Sequence, residues 1–156
     1  MELKIQKLSP LLGESVPFPS YATPGAAGMD LSACIDAPVE IPAGGRVVIP
    51  TGFAIETPPG YVTLVFGRSG LGIKQGVTLS NCVGVVDSDY RGELRVGLSN
   101  YSDKPFVVRP GDRIAQMALL PVATAQLRLS DSLSETERGA GGFGSTGISA
   151  ERGGKR

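Results

Sequence analysis

Val83-Gly84-Val85-Val86-Asp87-Ser88-Asp89-Tyr90-Arg91-Gly92-Glu93-Leu94-Arg95-Val96-Gly97-Leu98-Ser99-Asn100 holds the two patterns that decide the fold. Its second half sets Leu94, Val96 and Leu98 at alternate positions, the period of two that marks a half-buried strand. Its first half, residues 83–86, is a short apolar strand that stops abruptly at two carboxylates, an aromatic, an arginine and a glycine. A strand that ends on such a mixture has left the core for a surface where polar groups converge. Loops held by rigid strands are where binding and catalytic groups concentrate. The chain has no histidine, so general-base chemistry near neutral pH falls most naturally to a carboxylate such as Asp87.

The same signals repeat outward from this stretch. Leu3 and Ile5 alternate; residues 46–49, 53–56 and 61–66 follow as short apolar-rich segments separated by Pro-Thr-Gly and Pro-Pro-Gly. Residues 106–108 and 114–120 continue the series, with Pro110-Gly111-Asp112 as the turn between them. Helical periodicity is confined to one weak candidate at residues 69–74, which carries two glycines. With 22 glycines and 12 prolines spread along the chain, the predicted fold is all-β: a single-domain barrel or jelly-roll-like sandwich of short strands. From Ser130 the character changes to a polar stretch and then Gly139-Ala140-Gly141-Gly142-Phe143-Gly144-Ser145-Thr146-Gly147. Such a segment buries too little apolar surface to offset its backbone entropy. The predicted organisation is a β domain over residues 1–130 and a mobile arm over 131–156.

Composition excludes several classes. The 156 residues suit one domain with a real core. No apolar run approaches the roughly 20 residues of a membrane span, and the charged first residues carry no signal-peptide pattern. A cytoplasmic protein without a membrane partner is expected. Fifteen basic residues balance fifteen acidic ones, whereas a surface that grips a nucleic-acid backbone has a basic excess. Cys34 and Cys82 each lie in an apolar stretch and are expected to be buried free thiols. Zinc ligation at the usual spacing is excluded.

Four further segments carry chemistry alongside residues 84–92. The glycine-rich end can wrap a polyphosphate with backbone N–H groups, Ser145, Thr146 and Arg138 completing the cradle; a terminus without function is the other reading. Gly67-Arg68-Ser69-Gly70-Leu71-Gly72 offers a cation and a hydroxyl at a strand end, where phosphate oxygens or only solvent could meet them. In Ala27-Gly28-Met29-Asp30-Leu31-Ser32-Ala33 a lone aspartate among small residues reads on its own as a turn or cap. Gly111-Asp112-Arg113-Ile114-Ala115-Gln116-Met117 reads as turn then strand.

Together, the order, wording and spacing of these five blocks resemble the five motifs of the trimeric deoxyuridine triphosphatase (dUTPase) family. The resemblance runs from about Leu3 to Gly147 and is far more specific than any one block. It implies hydrolysis of dUTP to dUMP and pyrophosphate with Mg²⁺, which keeps uracil out of DNA and supplies dUMP for thymidylate synthesis. It implies that Asp87 activates the water that attacks the α-phosphorus, and that Asp30 holds the metal through water, in keeping with the several waters Mg²⁺ retains. Asn81 matches the uracil-reading amide, with Gly84, Val85, Val86 and Asp87 and the strand near Arg95 forming the base pocket. Tyr90 looks like the ring that packs on deoxyribose. Arg68, Ser69, Gly70 and Gln116 resemble the phosphate-contacting groups. Arg138, Phe143, Gly144, Ser145 and Thr146 resemble a lid, with Phe143 stacking on uracil. The partners implied are dUTP and two further copies of the chain, the sites being shared between subunits of a homotrimer.

Two alternatives compete. A dCTP deaminase of the same fold family would need a carboxylate aimed at the base, and the Asp87-Ser88-Asp89-Tyr90 wording with the complete glycine-rich end favours triphosphate hydrolysis instead. A non-catalytic nucleotide sensor would have no need to retain Asp87, Arg138, Ser145 and Thr146.

Overall fold

The computed structural model describes residues 1–142. Its elements run β1 (Lys4–Lys7), β2 (Ser20–Tyr21), β3 (Met29–Ser32), β4 (Val39–Ile41), β5 (Arg46–Glu56), β6 (Tyr61–Gly67), α1 (Ser69–Gln75), β7 (Val77–Leu79), β8 (Val83–Val86), β9 (Glu93–Asn100), β10 (Phe106–Val108) and β11 (Arg113–Pro121). Three sheets form, in strand orders β1-β5-β9-β7, β10-β4 and β2-β3-β11-β6-β8. All pairings are antiparallel. The all-β expectation holds, but among the described residues none of the three sheets closes on itself, so a closed barrel is not what the pairing gives. Chain contacts separate a body, Met1–Thr124, from a second unit, Ala125–Arg156. No helix among the described residues is long and apolar enough to cross a membrane.

The core takes the inward residue of each alternation. Leu94, Val96 and Leu98 of β9 are buried as their period predicts, together with Ile49, Phe53 and Ile55 of β5 and Val65 of β6. Each such side chain contributes roughly 1.5–3 kcal/mol of hydrophobic stabilisation. The buried Asn100 is fully engaged: its amide donates to the carbonyls of Ile41 (3.0 Å) and Lys104 (2.7 Å) and accepts from the Ser102 N–H (3.0 Å).

Two local expectations are corrected. Pro50-Thr51-Gly52 does not separate two strands. It is a bulge within the single strand β5, where Pro50 faces Arg95 and Ala54 faces Glu93, so four steps on β5 span two on β9. Gly52 has φ 79°, and a Cβ there would collide with the Cys34 sulfur; only glycine meets both demands. Cys82 is exposed, not buried. It occupies the turn between β7 and β8 with φ 60°, and a turn tip has no second layer over it. β8 is an edge strand, with Val85 64 % exposed and only Val86 fully buried. The weak helical candidate does form: α1 ends at Gly76, whose left-handed φ of 67° lets its N–H bond the Leu71 carbonyl.

Candidate active site

Strands β7, β8 and β9 enclose a cleft of about 410 Å³ lined by Asn81, Gly84, Val85, Val86, Asp87, Tyr90 and Arg95, all singled out in the sequence. Its shape follows from backbone chemistry. The Val83 N–H donates to the Asn81 carbonyl at 2.6 Å, a tight turn that brings the amide to the cleft wall. Opposite Val65, Gly84 has no room for a side chain: a Cβ would lie 3.0 Å from the Val65 Cβ. That glycine keeps the cleft floor open beside Asn81.

Asp87 follows β8 and is exposed at the cleft. Its loop is fixed by its own bonds. The Tyr90 N–H donates to the Asp87 carbonyl (3.3 Å), and Arg91 Nη1 donates to the Ser88 and Tyr90 carbonyls (2.8 and 2.9 Å). The Tyr90 hydroxyl donates to the Glu93 carbonyl at 3.1 Å, laying the ring over Gly92 so closely that a Cβ at Gly92 would overlap it.

Glu93 was not singled out in the sequence, yet it ties this cleft to the β5 bulge. The Gly52 N–H donates to Glu93 Oε1 at 3.0 Å, and Arg95 Nε donates to Oε2 at 2.9 Å. The only sequence signal for it was a proline-glycine interruption inside an apolar run.

A second cluster forms on the five-stranded sheet. Asp30 lies in a strand, not a turn, directly opposite Gln116 of β11, and is 8 % exposed. Gln116 Nε2 donates to Asp30 Oδ1 at 3.2 Å, and Arg113 Nη1 donates to Oδ2 at 3.1 Å. Arg68 Nε lies 3.2 Å from Oδ1, but its N–H is not aimed at an acceptor, so that contact is Coulombic and not a hydrogen bond. Arg68 occupies the N-cap position of α1 without capping it. The side chain serves the carboxylate and, through Nη1, the Arg113 carbonyl at 3.3 Å. Arg68 and Arg113 also line a further cleft of about 410 Å³ that shares no lining residue with the Asp87 cleft.

Ser69 and Gly70 are exposed at the start of α1. Arg138 belongs to the second unit, where its Nε donates to the Gly141 carbonyl at 2.9 Å. Phe143, Gly144, Ser145 and Thr146 lie outside the described residues. Among the described residues no group of three or more His, Cys, Asp or Glu side chains could cage a metal. Asp30 is one carboxylate already receiving two N–H donors, with lone-pair capacity left over. That donor set fits a Mg²⁺ ion held mainly by phosphate oxygens and reached through water, and does not fit a pre-built protein cage.

A cleft with an exposed carboxylate, an amide and a sugar-sized aromatic, plus a separate cation cluster, suits an enzyme acting on an anionic nucleotide. The known proteins it matches are nucleotidohydrolases. The family model described as dUTPase matches residues 14–147. The deoxyuridine 5'-triphosphate nucleotidohydrolase of Ralstonia nicotianae is 49 % identical over 148 residues, spanning 94 % of this chain and 99 % of that protein. Its counterpart in Desulfitobacterium hafniense is 58 % identical over 133 residues, spanning 85 % and 88 %. The dUTPase of Staphylococcus bacteriophage 80alpha, solved with dUPNHPP, superposes with a TM-score of 0.83 at 26 % identity, over 94 % of this chain and 99 % of that one. The chain belongs to the dUTPase family.

Proposed function

We infer that this chain hydrolyses dUTP to dUMP and pyrophosphate, with Asp87 as the general base. The observation that carries the mechanism is Asp87 itself: an exposed carboxylate at the mouth of a cleft whose wall is an amide and whose side is an aromatic ring. Uracil would enter between Asn81 and the backbone of Gly84, Val85 and Val86, where an amide offers both donor and acceptor. Tyr90, pinned by its hydroxyl, would lie against deoxyribose and leave no room for a 2′-hydroxyl. Asp87 would take a proton from water as the water oxygen bonds the α-phosphorus and the bond to the β-phosphate's bridging oxygen breaks. The departing pyrophosphate carries the electron pair. Pre-placed donors best stabilise such charge, and Arg68, Ser69, Gly70, Gln116, Arg138, Gly144, Ser145 and Thr146 are the candidates, with Phe143 covering the base. Mg²⁺, when bound, neutralises part of the triphosphate's charge, and Asp30 would hold it through water.

Support for a homotrimer with shared sites comes from the five-stranded sheet. Its outward face sets Val62, Leu64, Phe66, Val83, Val85, Ala118 and Leu120 side by side across three strands. Val85 and Leu120 remain well exposed in the single chain. An apolar face of this kind is suited to burial against another copy, and Arg68 and Gln116 lie on the same face without lining their own chain's Asp87 cleft. In this reading the phosphate-contacting residues of one copy complete the Asp87 cleft of the next.

Pyrophosphate release across dUTP, dTTP, dCTP and UTP tests the function. Release from dUTP alone is expected; ammonia released from dCTP would make the chain a deaminase, and binding without any release would make it a sensor.

A further inference from the structure

Arg113 stands at the start of β11, where regular pairing would point it away from Asp30. Gln116 faces Asp30 and Ala115 faces Leu31, so an unbroken ladder would set Ile114 opposite Ser32 and turn Arg113 to the core face. Instead the register shifts between Arg113 and Ala115, and Arg113 itself faces Ser32. Ile114 and Ala115 are consecutive yet both fully buried, the signature of one inserted residue. A bulge of this kind re-aims a side chain. Here it returns Arg113 to the face that carries Asp30, Gln116 and, two residues beyond Phe66, Arg68.

The consequence is electrostatic. An arginine beside a lone carboxylate closes on it as a bidentate fork. Arg113 takes Oδ2 at 3.1 Å and Gln116 takes Oδ1 at 3.2 Å, so Arg68 is left with only its Nε against the carboxylate. The Arg113 carbonyl receives Arg68 Nη1 at 3.3 Å and steadies the same guanidinium from behind. Two arginines stand against the one carboxylate of Asp30, so that carboxylate can satisfy only one of them fully; the further carboxylate lining their cleft, Asp112, accepts the Arg109 backbone N–H at 2.8 Å. We propose that Arg113 is a positioning residue for triphosphate binding: delivered by the β11 bulge, it occupies Oδ2 of Asp30 and so keeps the Arg68 guanidinium from closing on that carboxylate, leaving it open to phosphate oxygens. The inference rests on the dUTP reading above and adds a residue to which that reading gives no role.

With Arg113→Gln, Oδ2 is freed, Arg68 can fold onto Asp30 as a closed pair, and one positive charge is lost from the cleft. The Arg113 side chain is 55 % exposed, so the fold should tolerate the change, and Arg113→Lys supplies a second variant that keeps the charge. Calorimetric titration with a non-hydrolysable dUTP analogue and with deoxyuridine separates the possibilities. For Arg113→Gln the analogue's Kd should rise about 10- to 100-fold, the effect of a lost charged hydrogen bond, with deoxyuridine binding unchanged. Arg113→Lys should recover most of the loss, and KM should move more than kcat. Equal weakening of both ligands, unchanged affinity for the analogue, or no rescue by lysine would overturn the proposal. If the wild-type chain itself binds the analogue no better than deoxyuridine, the dUTP reading fails instead.

Discussion

Asp87 and Asp30 are both aspartates in glycine-rich surroundings, and their environments are opposite. Asp30 is enclosed by two guanidinium groups and an amide, so it organises cations. Asp87 forms no ion pair among the described residues and is open to water. Asp87→Asn should therefore retain binding of dUTP while kcat falls by roughly 10²–10⁴, the usual worth of a general base; near-normal turnover would move the base to another carboxylate. Turnover in ¹⁸O-water should place the label in dUMP, since the proposed attack is on the α-phosphorus; label in pyrophosphate would place it elsewhere. Tyr90 offers a second check through its neighbour. A methyl group at Gly92 would overlap the ring, so Gly92→Ala should displace it and narrow the dUTP-to-UTP ratio of kcat/KM as Tyr90→Ala does. An unchanged ratio in both variants would put sugar selection in another group. The residue types of this cleft were legible in the sequence because carboxylate, amide and aromatic are rare on a strand end. Arg113 and Glu93 were not, since each acts through a bulge, and a bulge changes which face a residue occupies without changing its neighbours in sequence.

At the scale of elements, strands were readable where a period of two or an unbroken apolar run marked them, and Met29–Ser32, with its aspartate among small residues, read instead as a turn. Glu93–Asn100, Val83–Val86 and Phe106–Val108 have the bounds that pattern predicts. Strands β2, β4 and β7 have only two or three residues and, unlike the all-apolar Phe106–Val108, include polar ones, so neither an alternation nor an apolar run marked them. The Pro-Thr-Gly segment misled because proline and glycine mark turns and bulges alike. Its true role makes a prediction about β5: Gly52→Ala must force both an unfavourable φ and a clash with Cys34, and should cost more than about 1 kcal/mol. Thermal melting should show a Tm lower by at least roughly 2–4 °C, and because the Gly52 N–H holds Glu93, Tyr90-dependent sugar selection should loosen with it. A Tm equal to wild type would mean that β5 relaxes around the bulge.

At the scale of the whole molecule, the proposed function requires more than one chain to complete a site. Within one chain the Asp87 cleft and the Arg68–Gln116–Arg113 cluster share no lining residue, and an apolar sheet face lies beside the cation cluster. The sequence conveyed the charge balance and the five blocks, but not this separation, because spacing along a chain does not say on which face of a sheet each block emerges. The direct measurement uses two variants, Asp87→Asn and a truncation after Glu137, each expected to be nearly inactive alone. Unfolded and refolded together in equal amounts, they should regain roughly a quarter of the wild-type dUTP hydrolysis per site, since each site then draws an intact Asp87 and an intact arm at random from different copies in a closed ring. Confirmed mixed trimers with no activity above that of the two parents would contradict the claim.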